Sequence, residues 1–172
     1  QPGSTIKPFI YAAALEKGYS AATLVNDAPT IFEDEKLETN WRPKNSGNKY
    51  LGEIPLRQAL YQSRNASSVR VLTDIGINYA LSYLQKIGFN TDDFARDLSM
   101  ILGTNELSPL EVANGYALFA NGGYRVEPYL IERIEDHQGN VIFEHNAKVA
   151  CQVCLPSQEQ APKVMNSDTA FI

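Results

Sequence analysis

From Phe9 to Leu15 the chain is apolar nearly all round: Phe9, Ile10, Tyr11, Ala12, Ala13, Ala14 and Leu15 follow one another without a charge. A helix apolar nearly all round is a helix surrounded by other elements, so this segment predicts a central buried helix that starts at Ser4. Residues 55–62 read as a short helix with Pro55 at its first position, and residues 66–75 as another, leaving Ser63-Arg64-Asn65 as the loop between them. Residues 78–87 predict a helix stopped by Gly88, with Leu81, Leu84 and Ile87 facing inward and Tyr79 and Tyr83 beside them. Ser108-Pro109-Leu110-Glu111 is a capping box. It opens a helix bearing Leu110, Val112, Ala113, Tyr116, Ala117 and Ala120, which Gly122-Gly123 ends. Residues 129–134 and 141–144, joined through Asp136-His137-Gln138-Gly139-Asn140, predict a β-hairpin. The fold class expected is α+β, mainly helical, with one small hairpin.

Composition narrows the class only slightly. The chain has 172 residues, 44% hydrophobic and 20% charged, which is ordinary globular usage and enough for a single core. A net charge of −5 offers no basic footprint for nucleic acid. The sequence shows no apolar run of membrane-spanning length, about 18 residues. Cys151-Gln152-Val153-Cys154 lies in a polar, proline-bearing stretch, where a local disulfide and two free thiols are both open readings. His137 and His145 sit on or beside the hairpin, at no spacing that ties them to a nucleophile or completes a metal site; no metal and no cofactor is expected.

Chemistry enters at the start of the buried helix. Ser4 and Lys7 stand at i and i+3, roughly 5–6 Å apart at Cβ, so a hydroxyl and an amine share one helix face. A lysine near a helix N-terminus in a buried setting is disfavoured as a cation by both dipole and desolvation, which frees its amine as a base. A second pair of polar groups, Ser63 and Asn65, is presented by the interhelical loop, where a hydroxyl can relay a proton and a carboxamide can bind an amide. Either pair taken alone also fits plain helix capping. Trp41, in the turn-rich loop Trp41-Arg42-Pro43-Lys44-Asn45, is a candidate cleft wall that would stack on substrate, or a local hydrophobic anchor.

Together, Gln1-Pro2-Gly3-Ser4-Thr5-Ile6-Lys7-Pro8-Phe9 and Ser63-Arg64-Asn65 resemble the S-x-x-K and S-x-N elements of the penicillin-recognising serine acyltransferases. The resemblance is closest to the transpeptidase domain of class A, bifunctional penicillin-binding proteins. Leu56-Arg57-Gln58-Ala59-Leu60, Leu107-Ser108-Pro109-Leu110-Glu111-Val112-Ala113 and Phe119-Ala120-Asn121-Gly122-Gly123 share the family style. It implies that residues 1–172 are one partial transpeptidase domain, cut before the K-T-G strand and lacking most of the central sheet. It implies a D,D-transpeptidase: Ser4 as nucleophile, Lys7 as base, Ser63 as relay and Asn65 as substrate ligand, acting on the D-Ala-D-Ala end of peptidoglycan stem peptides and acylated by β-lactams. It also implies a parent protein anchored in the inner membrane with this domain in the periplasm. Two other readings stand beside it. A serine β-lactamase of class A would need a deacylating glutamate, and the corresponding region is Asp97-Leu98-Ser99-Met100-Ile101; a non-catalytic penicillin-recognising module would need neither glutamate nor third motif.

Overall fold

The computed structural model describes residues 1–29, 31 and 41–172. Its axis is α1 (Lys7–Glu16), which follows a single 3-10 turn, Gly3–Ile6. Phe9, Ile10, Ala13 and Ala14 are completely buried, as a helix without a polar face requires. Around it pack α2 (Leu56–Tyr61), α3 (Asn65–Ile75) and α4 (Ile77–Ile87). α3 and α4 are amphipathic and turn Val69, Leu72 and Ile75, and Leu81, Leu84 and Ile87, into the same core. Each large apolar side chain so buried contributes about 1.5–3 kcal/mol. Gly88 ends α4 where the sequence predicts.

Helix α5 (Pro109–Ala120) opens with the expected capping box: Glu111 N donates to Ser108 Oγ at 3.2 Å, and Ser108 N to Glu111 Oε2 at 2.8 Å. Its inner face lies away from Leu110. Gly115 and Leu118 are buried, while Leu110 is 61% exposed and Tyr116 39%. The reason is the aromatic cluster under the helix, where Phe9 meets Phe89, Tyr116 and Phe119 at centroid distances of 4.9, 5.1 and 5.4 Å. A Cβ on Gly115 would lie 2.6 Å from Phe89 Cζ and 2.9 Å from Phe9 Cζ, so the missing side chain lets α5 come down on the rings.

Two small antiparallel sheets complete the described residues. β1 (Leu24–Asp27) pairs with β2 (Gly52–Pro55) in the register Val25↔Ile54 and Asp27↔Gly52, a sheet that the hydrophobic pattern does not predict. Pro55 ends β2 in extended conformation and flanks α2 rather than opening it. β3 (Arg133–Glu135) and β4 (Val141–Glu144) form the expected hairpin with a shorter first strand: Tyr129, Leu130 and Ile131 precede it, and a register shift follows Ile134. Cys151 and Cys154 are joined as a disulfide, which resolves the two open readings. Near the end, Asn166 N and Nδ2 donate to the Glu16 carboxylate at 2.8 and 2.9 Å, tying the approach to α6 (Ser167–Phe171) to the end of α1. Among the described residues no helix is long and apolar enough to cross a membrane.

Candidate active site

Ser4 lies in the 3-10 turn, and the Lys7 amide donates to its carbonyl, so serine and lysine stand one turn apart on one continuous right-handed coil. No side chain caps either that turn or α1, whose N-cap is Ile6. The Ser4 hydroxyl is therefore not consumed by capping: it is exposed and makes no hydrogen bond among the described residues. The turn is held from outside. Gly3 N donates to Gly103 O at 3.3 Å, and Tyr116 Oη of α5 donates to Thr5 O at 3.1 Å. Gly103 closes the 3-10 turn Leu98–Leu102, which Asp97 caps by accepting from Ser99 N at 2.8 Å and Ser99 Oγ at 2.5 Å. The carboxylate in the region where a class A β-lactamase needs its glutamate is thus spent on its own turn.

Lys7 is 1% exposed. Its ammonium has three donors and places them on Ser63 O at 3.0 Å, Ser63 Oγ at 3.0 Å and Asn65 Oδ1 at 2.7 Å. Burial pushes its pKa down to about 8. A neutral amine donates twice and accepts once. Ser63 O and Asn65 Oδ1 are obligate acceptors, so on loss of the proton the lone pair can only take a hydroxyl hydrogen, from Ser63 or from an incoming Ser4.

Residues 62–64 connect α2 to α3, and Asn65 is the first residue of α3 rather than part of the loop. Neither Ser63 nor Asn65 caps the helix; Arg64 holds the N-cap position and makes no side-chain cap bond. Ser63 has a φ of +52°, sparsely populated for a residue with a Cβ. The second end of Asn65 is also engaged, Nδ2 donating to Lys44 O at 2.8 Å. Trp41, three residues earlier, is half-buried against the core at the start of that segment.

Several residues behind the loop carry no local sequence signal. Asp27 is completely buried, and its carboxylate accepts from Arg64 Nε at 2.8 Å, Arg64 Nη2 at 2.6 Å, Asn45 Nδ2 at 2.7 Å, Ser67 Oγ at 3.3 Å and Leu51 N at 3.1 Å. Burial raises its pKa, but the bonds from Arg64, Asn45 and Leu51 together with the Arg64 charge outweigh that and hold it below the usual carboxylate range. On the opposite flank Ser68 Oγ donates to Arg64 O at 2.7 Å, so Tyr11 must be the donor in its 2.8 Å bond to Ser68 Oγ. A strand places side chains i and i+2 on one face, which is why Asp27 points inward beside Val25. Only that alternation hints at its burial.

A family model for the penicillin binding protein transpeptidase domain matches residues 1–169. The chain belongs to that family. Penicillin-binding protein 1A of Pseudomonas aeruginosa is 56% identical over 146 residues, covering 85% of this chain and 18% of the relative. Penicillin-binding protein 1A of Escherichia coli is 46% identical over 154 residues, covering 90% of this chain and 18% of the relative. This transpeptidase-family chain therefore spans under a fifth of either curated relative. The crystal structure of Penicillin-Binding Protein 1A from Haemophilus influenzae matches with a TM-score of 0.90 at 37% identity, over 98% of this chain and 28% of that one. An imipenem acyl-enzyme complex of penicillin-binding protein A from M. tuberculosis shares the fold, with a TM-score of 0.79 at 22% identity over 98% of this chain and 41% of that one. The family assignment agrees with the α+β class, the helical body and the two small sheets.

Proposed function

We propose that this chain carries the acylation half of a peptidoglycan D,D-transpeptidase centre. The observation that supports this best is the three-way bond from the buried Lys7 amine to Ser63 and Asn65, one helical turn from an exposed serine whose hydroxyl is unspent. The neutral Lys7 amine takes the Ser4 proton as Ser4 Oγ attacks the carbonyl carbon between the two terminal D-alanines of a stem peptide. A C–O ester bond forms, the peptide C–N bond breaks, and the proton passes from Lys7 through Ser63 to the departing D-alanine nitrogen. An amine from a neighbouring strand then attacks the ester, forms the cross-linking amide and returns a proton to Ser4. Among the described residues Asn65 keeps one free N–H and one free lone pair after its bonds to Lys7 and Lys44, enough to hold the substrate amide. Trp41, which begins the segment that binds Asn65, is the proposed cleft wall. A K-T-G strand outside these residues would supply part of the oxyanion hole, a contribution worth about 10²–10³ in rate. β-Lactams acylate Ser4 as mimics of the same peptide, no cofactor takes part, and the parent protein is anchored in the inner membrane with this domain in the periplasm. The test is turnover by the full-length protein: released D-alanine and cross-linked peptide from a pentapeptide substrate, both abolished in Ser4→Ala. Turnover that survives Ser4→Ala would refute the assignment of the nucleophile, and a wild type that binds penicillin without turnover would favour a non-catalytic module.

A further inference from the structure

Asp27 takes no part in that chemistry, yet its carboxylate gathers five hydrogen bonds in complete burial. A buried carboxylate persists only where its partners compensate the lost hydration. What its donors hold is informative. Arg64 stands between Ser63 and Asn65, so clamping its guanidinium fixes the backbone on which both of the Lys7 partners are mounted. Arg64 Nη2 also reaches Lys49 O, and Asn45 Nδ2 reaches the same carbonyl at 3.2 Å, so the residue 45–51 loop is drawn onto the same point. Asn45 in turn accepts from Ala66 N at 3.1 Å, and its neighbour Lys44 supplies the carbonyl that takes Asn65 Nδ2. Ser63 sits at its positive φ in the middle of this frame. Such a conformation lasts only where the surroundings over-determine it.

We infer that Asp27 is a positioning residue for the transpeptidase centre: acting through Arg64 and Asn45, its carboxylate holds Ser63 and Asn65 onto the Lys7 amine and keeps water from it. This rests on the roles proposed above for Ser4, Lys7 and Ser63. A purely structural Asp27 would lower stability alone. A positioning Asp27 also changes the state of Lys7, and the direction of that change separates the two physical effects. Deleting a negative charge leaves Arg64 and Arg70 uncompensated, the two cations paired electrostatically with Asp27 among the described residues, and would lower the pKa of a nearby amine. Loosening the Ser63–Asn65 frame instead lets water reach Lys7 and moves its pKa back up, toward 10.5. Tyr11, which also senses Asp27, stays protonated because burial pushes it up to about 12.

The experiment uses the full-length protein and a fluorescent penicillin, following the second-order acylation rate against pH for wild type, Asp27→Asn, Asp27→Asn with Arg64→Gln, and Ile87→Ala as a core variant at the far end of α4. Asp27→Asn is expected to lose about 10²-fold in rate, the cost of a misplacement of about 1 Å, and its acid limb should shift to higher pH. The double variant should be no slower than the single, because both changes break one clamp. Ile87→Ala should lose thermal stability while keeping the wild-type limb. Asp27→Glu, which retains the charge and moves it by one methylene, should show the same upward limb and serves if Asp27→Asn does not fold. A wild-type rate, or a limb that moves down, in both Asp27 variants overturns the positioning role while leaving the transpeptidase reading intact. A wild type that takes no label on Ser4 overturns both.

Discussion

Replacing Gly103 by alanine would put a methyl group where the backbone of Gly3 already lies. An ideal Cβ on Gly103 falls 2.1 Å from Gly3 O and 2.4 Å from Gly3 N. Relaxed contacts between non-bonded heavy atoms are about 3.5 Å, so Gly3, or the whole 3-10 turn Leu98–Leu102, must retreat by more than about 1 Å. Gly3 directly precedes Ser4, and its N–H is bonded to Gly103 O. A displacement of that size at a reacting atom costs about 10²-fold in rate. Alanine also suffers at the positive φ of +73°, at about 1–2 kcal/mol. Gly122→Ala separates the two penalties, because Gly122 has a φ of +78° and nothing within 4 Å of its built Cβ. In the full-length protein both variants should melt lower, and only Gly103→Ala should lose the acylation rate measured with a fluorescent penicillin. Acylation of Gly103→Ala at the wild-type rate, or an equal loss in Gly122→Ala, would refute the idea that the Gly3–Gly103 contact seats the nucleophile.

Three further outcomes follow from the same geometry. Lys7 must be neutral to act as base, and burial lowers its pKa from 10.5 to about 8, so acylation should rise about tenfold between pH 7 and pH 9 and then level; a rise of about 100-fold with no plateau would mean an unperturbed amine. Ser63→Ala leaves the carbonyl that Lys7 also binds, so it should keep the fold and lose about 10²–10⁴ of the rate if the hydroxyl relays the proton, as D-alanine release would report. Ser108→Ala removes the cap of α5 at about 1 kcal/mol. It should lower the melting temperature by about 2–4 °C without touching acylation, and an acylation defect there would mean that α5 reaches the site by more than the Tyr116–Thr5 bond.

Local signals in the sequence were the reliable ones. The apolar run of α1, the Ser108 box and the Gly88 stop each depend on neighbours within a turn or two, and each has its expected counterpart in the structure. The i, i+3 spacing of Ser4 and Lys7 is local too, and the contact of Lys7 with Ser63 and Asn65 was legible only because the two elements occur together in one family pattern. Missing were features made by distant partners. β1 and β2 are four residues each and separated by a long connection, too short to show a period. The inner face of α5 is chosen by aromatic rings from α1 and by Phe89, so a glycine rather than the apolar stripe marks it. Asp27 looks like an ordinary turn acid beside Ala28-Pro29, and nothing within its own segment announces a bond to Arg64.

Ser4 as the nucleophile is tested most directly by treating the full-length protein with a penicillin and locating the adduct by peptide mass spectrometry. A single acyl adduct is expected on the peptide containing Ser4, lost in Ser4→Ala and nearly lost in Lys7→Ala, because the two act as one unit in acylation. An adduct on any other residue, or undiminished labelling of Ser4→Ala, would contradict that role.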